Sequence, residues 1–222
     1  MTHGSTHSEV YRKRLEQLQA NLRHKGWQAA LVMQPRDLYY YAGTAQPANL
    51  WVPDEGDPVL FTRRVHKLAQ EATWIDRTVS ASGFGEMSRA LADLDLSLPS
   101  GAILGVEQDV LPYRLVEGLK KNLEGVTLEN LSPLVLKQRF VKDDEELARI
   151  RKAVELWEKG HEAIMETLAA GVAEYEVAAA MENAARRGGG MAWSGPAVGT
   201  PTCPLGVSLH QDPIRGKSQE KP

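Results

Sequence analysis

Short apolar segments alternate with amphipathic segments over residues 1–138, and this alternation constrains the fold more than any other feature of the chain. An amphipathic helix is predicted from Ser8 to about Lys25, where Gly26 ends it. The apolar run at 29–33 is typical of a buried strand. Two more apolar runs, at 50–53 and 58–62, flank a turn-rich quartet and predict a β-hairpin.

The alternation continues to residue 129. It predicts helices at 65–73, 86–94 and 112–122, and strands at 78–81, 102–105 and 126–129. An initial helix and hairpin followed by alternating strands and helices are typical of an α/β domain with a mixed sheet. The aromatic run Tyr39-Tyr40-Tyr41 is interpreted as core and strand packing, with a substrate cleft or a subunit contact as the alternative. We place the end of this domain at Lys137-Gln138.

Residues 139–190 predict two further helices. Asp143 is suited to the N-cap position, with Glu146 three residues later as the partner in a capping box. An Ala-rich helix is predicted at 174–187, and a run of three glycines ends it. His161 is expected at the edge of the core. The first of the two helices carries apolar residues at three- and four-residue steps, namely Leu147, Ile150, Val154, Trp157, Ile164 and Leu168.

Residues 191–222 differ in composition from the rest of the chain. Prolines and glycines are interleaved along this segment, and neither helical nor strand periodicity extends beyond a few residues. We expect this segment to be disordered or to be an out-of-frame tail. A frameshift or gene-model error from about Gly190 and a natural remnant are the explanations left open.

Charge and composition exclude several classes of protein. A net charge of −3 gives no electrostatic basis for binding nucleic acid or an anionic membrane. No apolar run approaches the roughly 20 residues that a membrane-spanning helix needs. Cys203 is the only cysteine and cannot form an internal disulfide, so we expect a reducing, cytoplasmic environment.

Several segments, taken in order over residues 8–190, resemble the creatinase/Xaa-Pro aminopeptidase/prolidase group of pita-bread metallopeptidases. The match is carried by their sequence, order and spacing together. These segments are Asp37–Thr44, Gly56–Arg64, Leu104–Glu107, Arg139–Lys142, Glu145–Ala153 and Gly171–Ala179.

The resemblance implies an α/β fold in which an N-terminal domain with a ribonuclease-H-like mixed sheet precedes a pita-bread catalytic domain. Residues 139–190 would then be the start of an incomplete catalytic domain. The resemblance also implies hydrolysis of Xaa-Pro peptide bonds, with two divalent metal ions such as Mn, Co or Zn activating a bridging water. Five ligands, from two Asp, one His and two Glu, come from strands that follow the two helices in this group.

The chain departs from that pattern after Gly190, where His210, Asp212 and Glu220 are the only candidate ligands. Three groups cannot supply five ligands, so we expect no metal ligand and no catalytic residue in this chain. We therefore expect a truncated, inactive protein. The candidate residues of a substrate cleft or an interface are Tyr39, Tyr40, Tyr41 and Arg64.

Two other interpretations stay open. The chain could be a non-catalytic dimerisation module, forming a homodimer or pairing with a full-length paralogue. It could also be a fragment of a creatinase-type hydrolase that is not a peptidase. Proline-containing peptides are the ligands expected for intact relatives, and no nucleic acid or membrane is expected as a partner.

Overall fold

The computed structural model describes residues 5–190. Within these residues, the part up to Lys142 forms one compact unit, and the part that begins at Asp143 forms a second. The helices are α1 (Ser5–Lys25), α2 (Pro35–Ala42), α3 (His66–Ala72), α4 (Phe84–Asp93), α5 (Tyr113–Asn122), α6 (Ser132–Phe140), α7 (Asp144–Thr167) and α8 (Glu174–Arg187). The strands are β1 (Ala29–Val32), β2 (Ala48–Pro53), β3 (Val59–Thr62), β4 (Thr78–Ser80), β5 (Ile103–Val106) and β6 (Thr127–Asn130).

The first unit contains a six-stranded mixed sheet in the order β4-β3-β2-β1-β5-β6. β2 pairs antiparallel with both β1 and β3, so the predicted β-hairpin is confirmed. β1 pairs in parallel with β5, and β5 in parallel with β6. The prediction of an α/β domain with a mixed sheet is therefore confirmed.

Helices cover both faces of the sheet. Successive residues of β1 point to opposite faces, so Ala30 and Val32 join one apolar core while Ala29 and Leu31 join the other. Residues of α1, α2 and α6 fill the first core, and residues of α4 and α5 fill the second. Because both faces are covered, β1, β2 and β3 are buried along their whole length.

The aromatic run at 39–41 lies in helix α2, so the expected strand packing is wrong, although Tyr40 and Tyr41 are buried in the core as expected. The helix has local causes. Pro35 occupies its first turn, where a missing N–H costs nothing. Gly43 ends it in the left-handed region at φ 73°, donating its N–H to the carbonyl of Tyr39.

Helix α6 was not anticipated from the sequence, and the expected domain end at Lys137-Gln138 lies inside it. Pro133 occupies its first turn, and Leu131 and Val135 lie in the core below it. Most of its other residues are polar or partly exposed, so its apolar periodicity is weak. The compact unit therefore ends after Lys142, beyond this helix.

In the second unit, α7 and α8 pack against each other. The predicted capping box of α7 is confirmed: the N–H of Glu146 donates to Asp143 Oδ1 at 2.9 Å, and the N–H of Asp143 donates to Glu146 Oε2 at 3.2 Å. A cap of this kind contributes about 1 kcal/mol to helix stability. Gly160 permits close approach of the two helices, since a Cβ there would lie 3.1 Å from Met181 Cγ.

One face of α7 exposes apolar side chains. We call Leu147, Ile150, Val154 and Trp157 the α7 stripe; these four side chains are 36–51% exposed. His161 lies on the same side, but it is exposed and stacks on the Trp157 ring at 5.3 Å between centroids, so the expectation of a core-edge histidine is wrong. None of the helices within residues 5–190 combines the length and apolarity needed to cross a membrane.

Candidate functional site

Two buried carboxyl groups, those of Asp37 and Glu107, meet at one edge of the sheet. β1 and β5 run parallel, so their carboxyl ends lie at the same edge. Glu107 follows β5 directly, and Asp37 lies in the first turn of α2, which follows β1. Asp37 is 4% exposed and Glu107 is 1% exposed. Together with Arg139 of α6, they form what we call the carboxyl cluster.

One oxygen of Glu107 is fully engaged. Its Oε2 accepts the backbone N–H of Met33 at 2.7 Å and that of Gln34 at 2.8 Å. These two N–H groups lie between β1 and α2, so Glu107 joins the end of β5 to that connection. Charge-assisted bonds of this kind are stronger than bonds between neutral groups.

The other oxygen of Glu107, Oε1, is buried and has no hydrogen-bond donor while both carboxyl groups are ionised. The Asp37 carboxyl group faces Glu107 within hydrogen-bonding reach. A carboxylate only accepts, whereas a protonated carboxyl group also donates. A single proton on the pair therefore converts a repulsive contact into a hydrogen bond.

The environment of Glu107 favours that proton. Burial is the largest of several effects that together raise the pKa of Glu107 from an ordinary value of 4.5 to about 7. The N–H groups of Met33 and Gln34 lower this pKa, while the charge and the hydrogen bond of Asp37 raise it further. The balance of these effects favours the protonated form of Glu107.

Asp37 connects the pair to α6. Its Oδ1 accepts from Arg139 Nη1 at 2.8 Å and lies 3.3 Å from the Nε of Arg36. The Asp37 side chain is only 6% exposed and that of Arg139 19%, so water screens this ion pair less than it screens one at the surface. The Arg139 guanidinium also lies 5.9 Å from the centre of the Tyr40 ring.

A second chain of hydrogen bonds joins α1, α2 and α6 beside the carboxyl cluster. The Tyr41 hydroxyl donates to Gln138 Oε1 at 3.0 Å, and Gln138 Nε2 donates to the carbonyl of Arg14 at 2.6 Å. Arg14 in turn donates to the carbonyl of Tyr40 at 3.1 Å. Burial, assisted by the neighbouring phenol of Tyr40 and carboxyl groups, holds the pKa of Tyr41 well above its ordinary value, so its hydroxyl stays a donor.

The four residues predicted to line a cleft or an interface do not lie together in the structure and differ in burial. Tyr40 and Tyr41 lie beside the carboxyl cluster and are buried. Tyr39 is half-buried, with its ring edge-to-face with that of Tyr11 at 6.4 Å. Arg64 is exposed just before α3 and, within residues 5–190, makes no hydrogen bond or ion pair.

Sequence reasoning did not select Asp37, Glu107 or Arg139 as site residues. A signal was nevertheless present, because each of the three lies in one of the segments that carry the family resemblance. Their sequence separation, 70 residues between Asp37 and Glu107 and 32 between Glu107 and Arg139, hides the cluster until β1 and β5 are paired.

The described residues do not fit a dinuclear metal centre. The carboxyl cluster contains no histidine, and its oxygens accept from backbone N–H groups and guanidinium groups. Elsewhere in the described range, residues 5–190, no group of three or more His, Cys, Asp or Glu side chains is placed to hold a metal ion. His210, Asp212 and Glu220 lie outside the described residues, as does the segment 191–222 expected to be disordered or out of frame.

Comparison with known protein families gives two matches in chain order. Residues 14–141 match the Creatinase/Prolidase N-terminal domain, and residues 148–213 match Metallopeptidase family M24. The first match covers the sheet and all three residues of the carboxyl cluster. The second begins in α7 and extends past Gly190.

Among curated proteins, the chain is similar to an Xaa-Pro dipeptidase of Pyrococcus furiosus, with 25% identity over 173 residues, covering 77% of this chain and 47% of the relative. It is also similar to an Xaa-Pro dipeptidase of Pyrococcus horikoshii, with 27% identity over 154 residues, covering 69% of this chain and 42% of the relative. The chain thus spans about half the length of these relatives.

Solved structures show the same fold. A prolidase from Pyrococcus horikoshii superposes with a TM-score of 0.69 at 23% identity, covering 80% of this chain and 49% of that one. An Xaa-Pro dipeptidase from Bacillus anthracis gives a TM-score of 0.71 at 22% identity, covering 82% of this chain and 50% of that one. Because residues 14–141, which include the whole mixed sheet, match the family's N-terminal domain, the chain belongs to the creatinase/prolidase family.

Proposed function

We propose that the parent reaction of this protein is the metal-dependent hydrolysis of Xaa-Pro peptide bonds. The observation that carries the proposal is the pair of family matches, a creatinase/prolidase N-terminal domain followed by an M24 metallopeptidase segment in one chain. The two curated relatives named as Xaa-Pro dipeptidases support the substrate class. In this proposal, the first unit, which ends at Lys142, is the N-terminal domain, and the segment from Asp143 to Gly190 begins the catalytic domain.

We further propose that the polypeptide of residues 1–222 does not perform this reaction by itself. Two divalent metal ions would supply the chemistry in intact relatives by activating water and polarising the scissile carbonyl. The described residues fit no such centre, because the buried carboxyl groups accept from N–H and guanidinium groups instead. The role we assign to them is to connect the sheet, α2 and the end of α6 within the first unit.

A second candidate is a non-catalytic interaction module of the cytoplasm. The α7 stripe favours it, since contiguous exposed apolar side chains promote association. The occupant of the stripe would be a second copy of the chain or a full-length paralogue. A creatinase-type hydrolase that is not a peptidase is a further alternative for the parent reaction.

Hydrolysis of Ala-Pro by the purified 222-residue polypeptide, with Mn²⁺ or Co²⁺ added and with a chelator as the control, tests the inactivity. We expect no turnover above the chelated sample, and turnover that depends on the metal would contradict the proposal. The gene sequence downstream tests the parent reaction. The ligand pattern of two Asp, one His and two Glu would support it, and its absence from every reading frame would oppose it.

Light scattering separates the interaction module from the first candidate. A dimer that becomes a monomer when Trp157 is replaced by glutamine would support association through the α7 stripe. A monomer at all concentrations for the unaltered polypeptide would remove that candidate.

A further inference from the structure

The carboxyl cluster connects three elements that are distant in sequence. Glu107 holds the connection between β1 and α2 through the N–H groups of Met33 and Gln34. Asp37, in the first turn of α2, forms an ion pair with Arg139, which lies in the last turn of α6. The contact between Asp37 and Glu107 therefore lies between the sheet and the ion pair that holds Arg139, in the last turn of α6.

We propose that the Asp37–Glu107 pair is a proton-operated latch, which holds α6 against the sheet while the pair shares one proton and loosens its end when that proton leaves. The unpaired Oε1 of Glu107 is the structural basis for this device. This oxygen lies against the Asp37 carboxyl group and accepts no hydrogen bond from any described residue. The contact between the two carboxyl groups is therefore favourable only when one of them carries a proton.

The charged and titratable groups around the pair set this balance. The buried Tyr41 hydroxyl also interacts with both carboxyl groups, but it stays neutral because burial raises its pKa well above the ordinary value. From α2, the Asp37 charge opposes ionisation of Glu107. From α6, Arg139 pairs with Asp37 Oδ1, and the Nε of Arg36 lies 3.3 Å from the same oxygen. The backbone N–H groups of Met33 and Gln34 are the groups that favour the charged form of Glu107. Two like charges in a poorly solvated site repel each other strongly, so loss of the proton pushes Asp37 and its bound Arg139 away from Glu107.

The direction of the pH effect follows from the pKa of Glu107, which is about 7 in the folded protein and 4.5 in an unfolded chain. Because the folded state holds the proton more tightly, the added stability is fully present below about pH 4.5. It is lost progressively as the pH rises through about 7. The latch thus changes state near neutral pH.

The end of α6 is where such a change would be transmitted. Arg139 is followed by Phe140 and Val141, which are 79% and 76% exposed, and the second unit begins at Asp143. Little apolar burial holds Phe140 and Val141, so the last turn of α6 is attached through polar contacts. These are the Arg139–Asp37 ion pair and the hydrogen bonds of Gln138 with the Tyr41 hydroxyl and the carbonyl of Arg14. Release of Arg139 would loosen the last turn of α6.

Hydrogen exchange of the full 222-residue chain tests the latch, with protection measured at pH 5.5 and pH 8 for peptides covering α6 and, as an internal reference, the hairpin of β2 and β3. The informative variant is Glu107→Gln, since its amide can accept from Met33 and Gln34 and donate to Asp37 at every pH. The matched control is Glu129→Gln, because Glu129 is exposed on β6 of the same sheet.

We expect protection of α6 in the unaltered chain to fall roughly tenfold or more, relative to the hairpin, between pH 5.5 and pH 8. Glu129→Gln should behave in the same way, and Glu107→Gln should keep α6 protected at both pH values. Equal protection of α6 at both pH values in the unaltered chain would overturn the proposal. So would a loss of protection at pH 8 that Glu107→Gln does not remove. If Glu107→Gln does not fold, the comparison of α6 with the hairpin in the unaltered chain still decides.

Discussion

Replacing Gly105 with valine is expected to destabilise the first unit by about 3 kcal/mol or more, because the new side chain overpacks the core. Gly105 lies in β5, paired with Ala30 of β1 on one side and Glu129 of β6 on the other. A Cβ at this position would lie 2.9 Å from the Trp27 ring and 3.2 Å from Leu131 Cδ1. A strand hydrogen-bonded on both sides cannot move away to relieve that contact.

Urea unfolding followed by tryptophan fluorescence measures this effect, in a background with Trp157→Phe and Trp193→Phe so that the signal comes from the first unit. The control is Gly85→Ala, where a Cβ meets only the flexible Asn122 side chain, at 3.2 Å. It lies within α4, so alanine should be neutral or stabilising by up to about 1 kcal/mol. A Trp27→Leu replacement should restore part of the loss in Gly105→Val, and no restoration would contradict the steric cause.

Replacing Arg139 with alanine is expected to cost about 3 kcal/mol, since it leaves a buried charge without its main partner. Asp37 would remain 6% exposed beside Glu107, with only the longer contact to Arg36 at 3.3 Å. The guanidinium also covers the Tyr40 ring, so packing is lost together with charge. The same fluorescence measurement applies.

Lys137→Ala is the matched control, because Lys137 is an exposed cation on the same helix. It should change the stability by less than about 0.5 kcal/mol. Combining Arg139→Ala with Asp37→Asn should cost less than the sum of the two single changes, because the charge left unpaired is then absent. Additive losses would show that the two side chains contribute independently and would contradict the ion pair.

Local signals predicted much of the fold. The bounds of α8 and the capping box of α7 follow from neighbouring residues alone, so the structure agrees with the sequence there. The aromatic run of α2 was misjudged because three tyrosines favour a strand, whereas Pro35 and Gly43 set the ends of a helix. Helix α6 was missed because few of its residues are buried and its periodicity is weak.

The candidate site was harder to predict for a different reason. Asp37, Glu107 and Arg139 become neighbours only through the parallel pairing of β1 and β5 and the return of α6. No local pattern in the sequence indicates a parallel pairing between strands whose paired residues, such as Ala29 and Leu104, are 75 positions apart. The residues that carry the family resemblance contain all three, but the resemblance alone does not reveal their contacts.

The protonation state of Glu107 is the property on which the carboxyl cluster depends most directly. A titration of its side-chain carboxyl carbon by NMR, in the full chain labelled with ¹³C at glutamate and assigned with the Glu107→Gln variant, measures it. We expect a midpoint at about pH 7, because burial and Asp37 hold the proton on the pair. A midpoint near the ordinary glutamate pKa of 4.5 would show that no such pair is formed and would contradict this assignment.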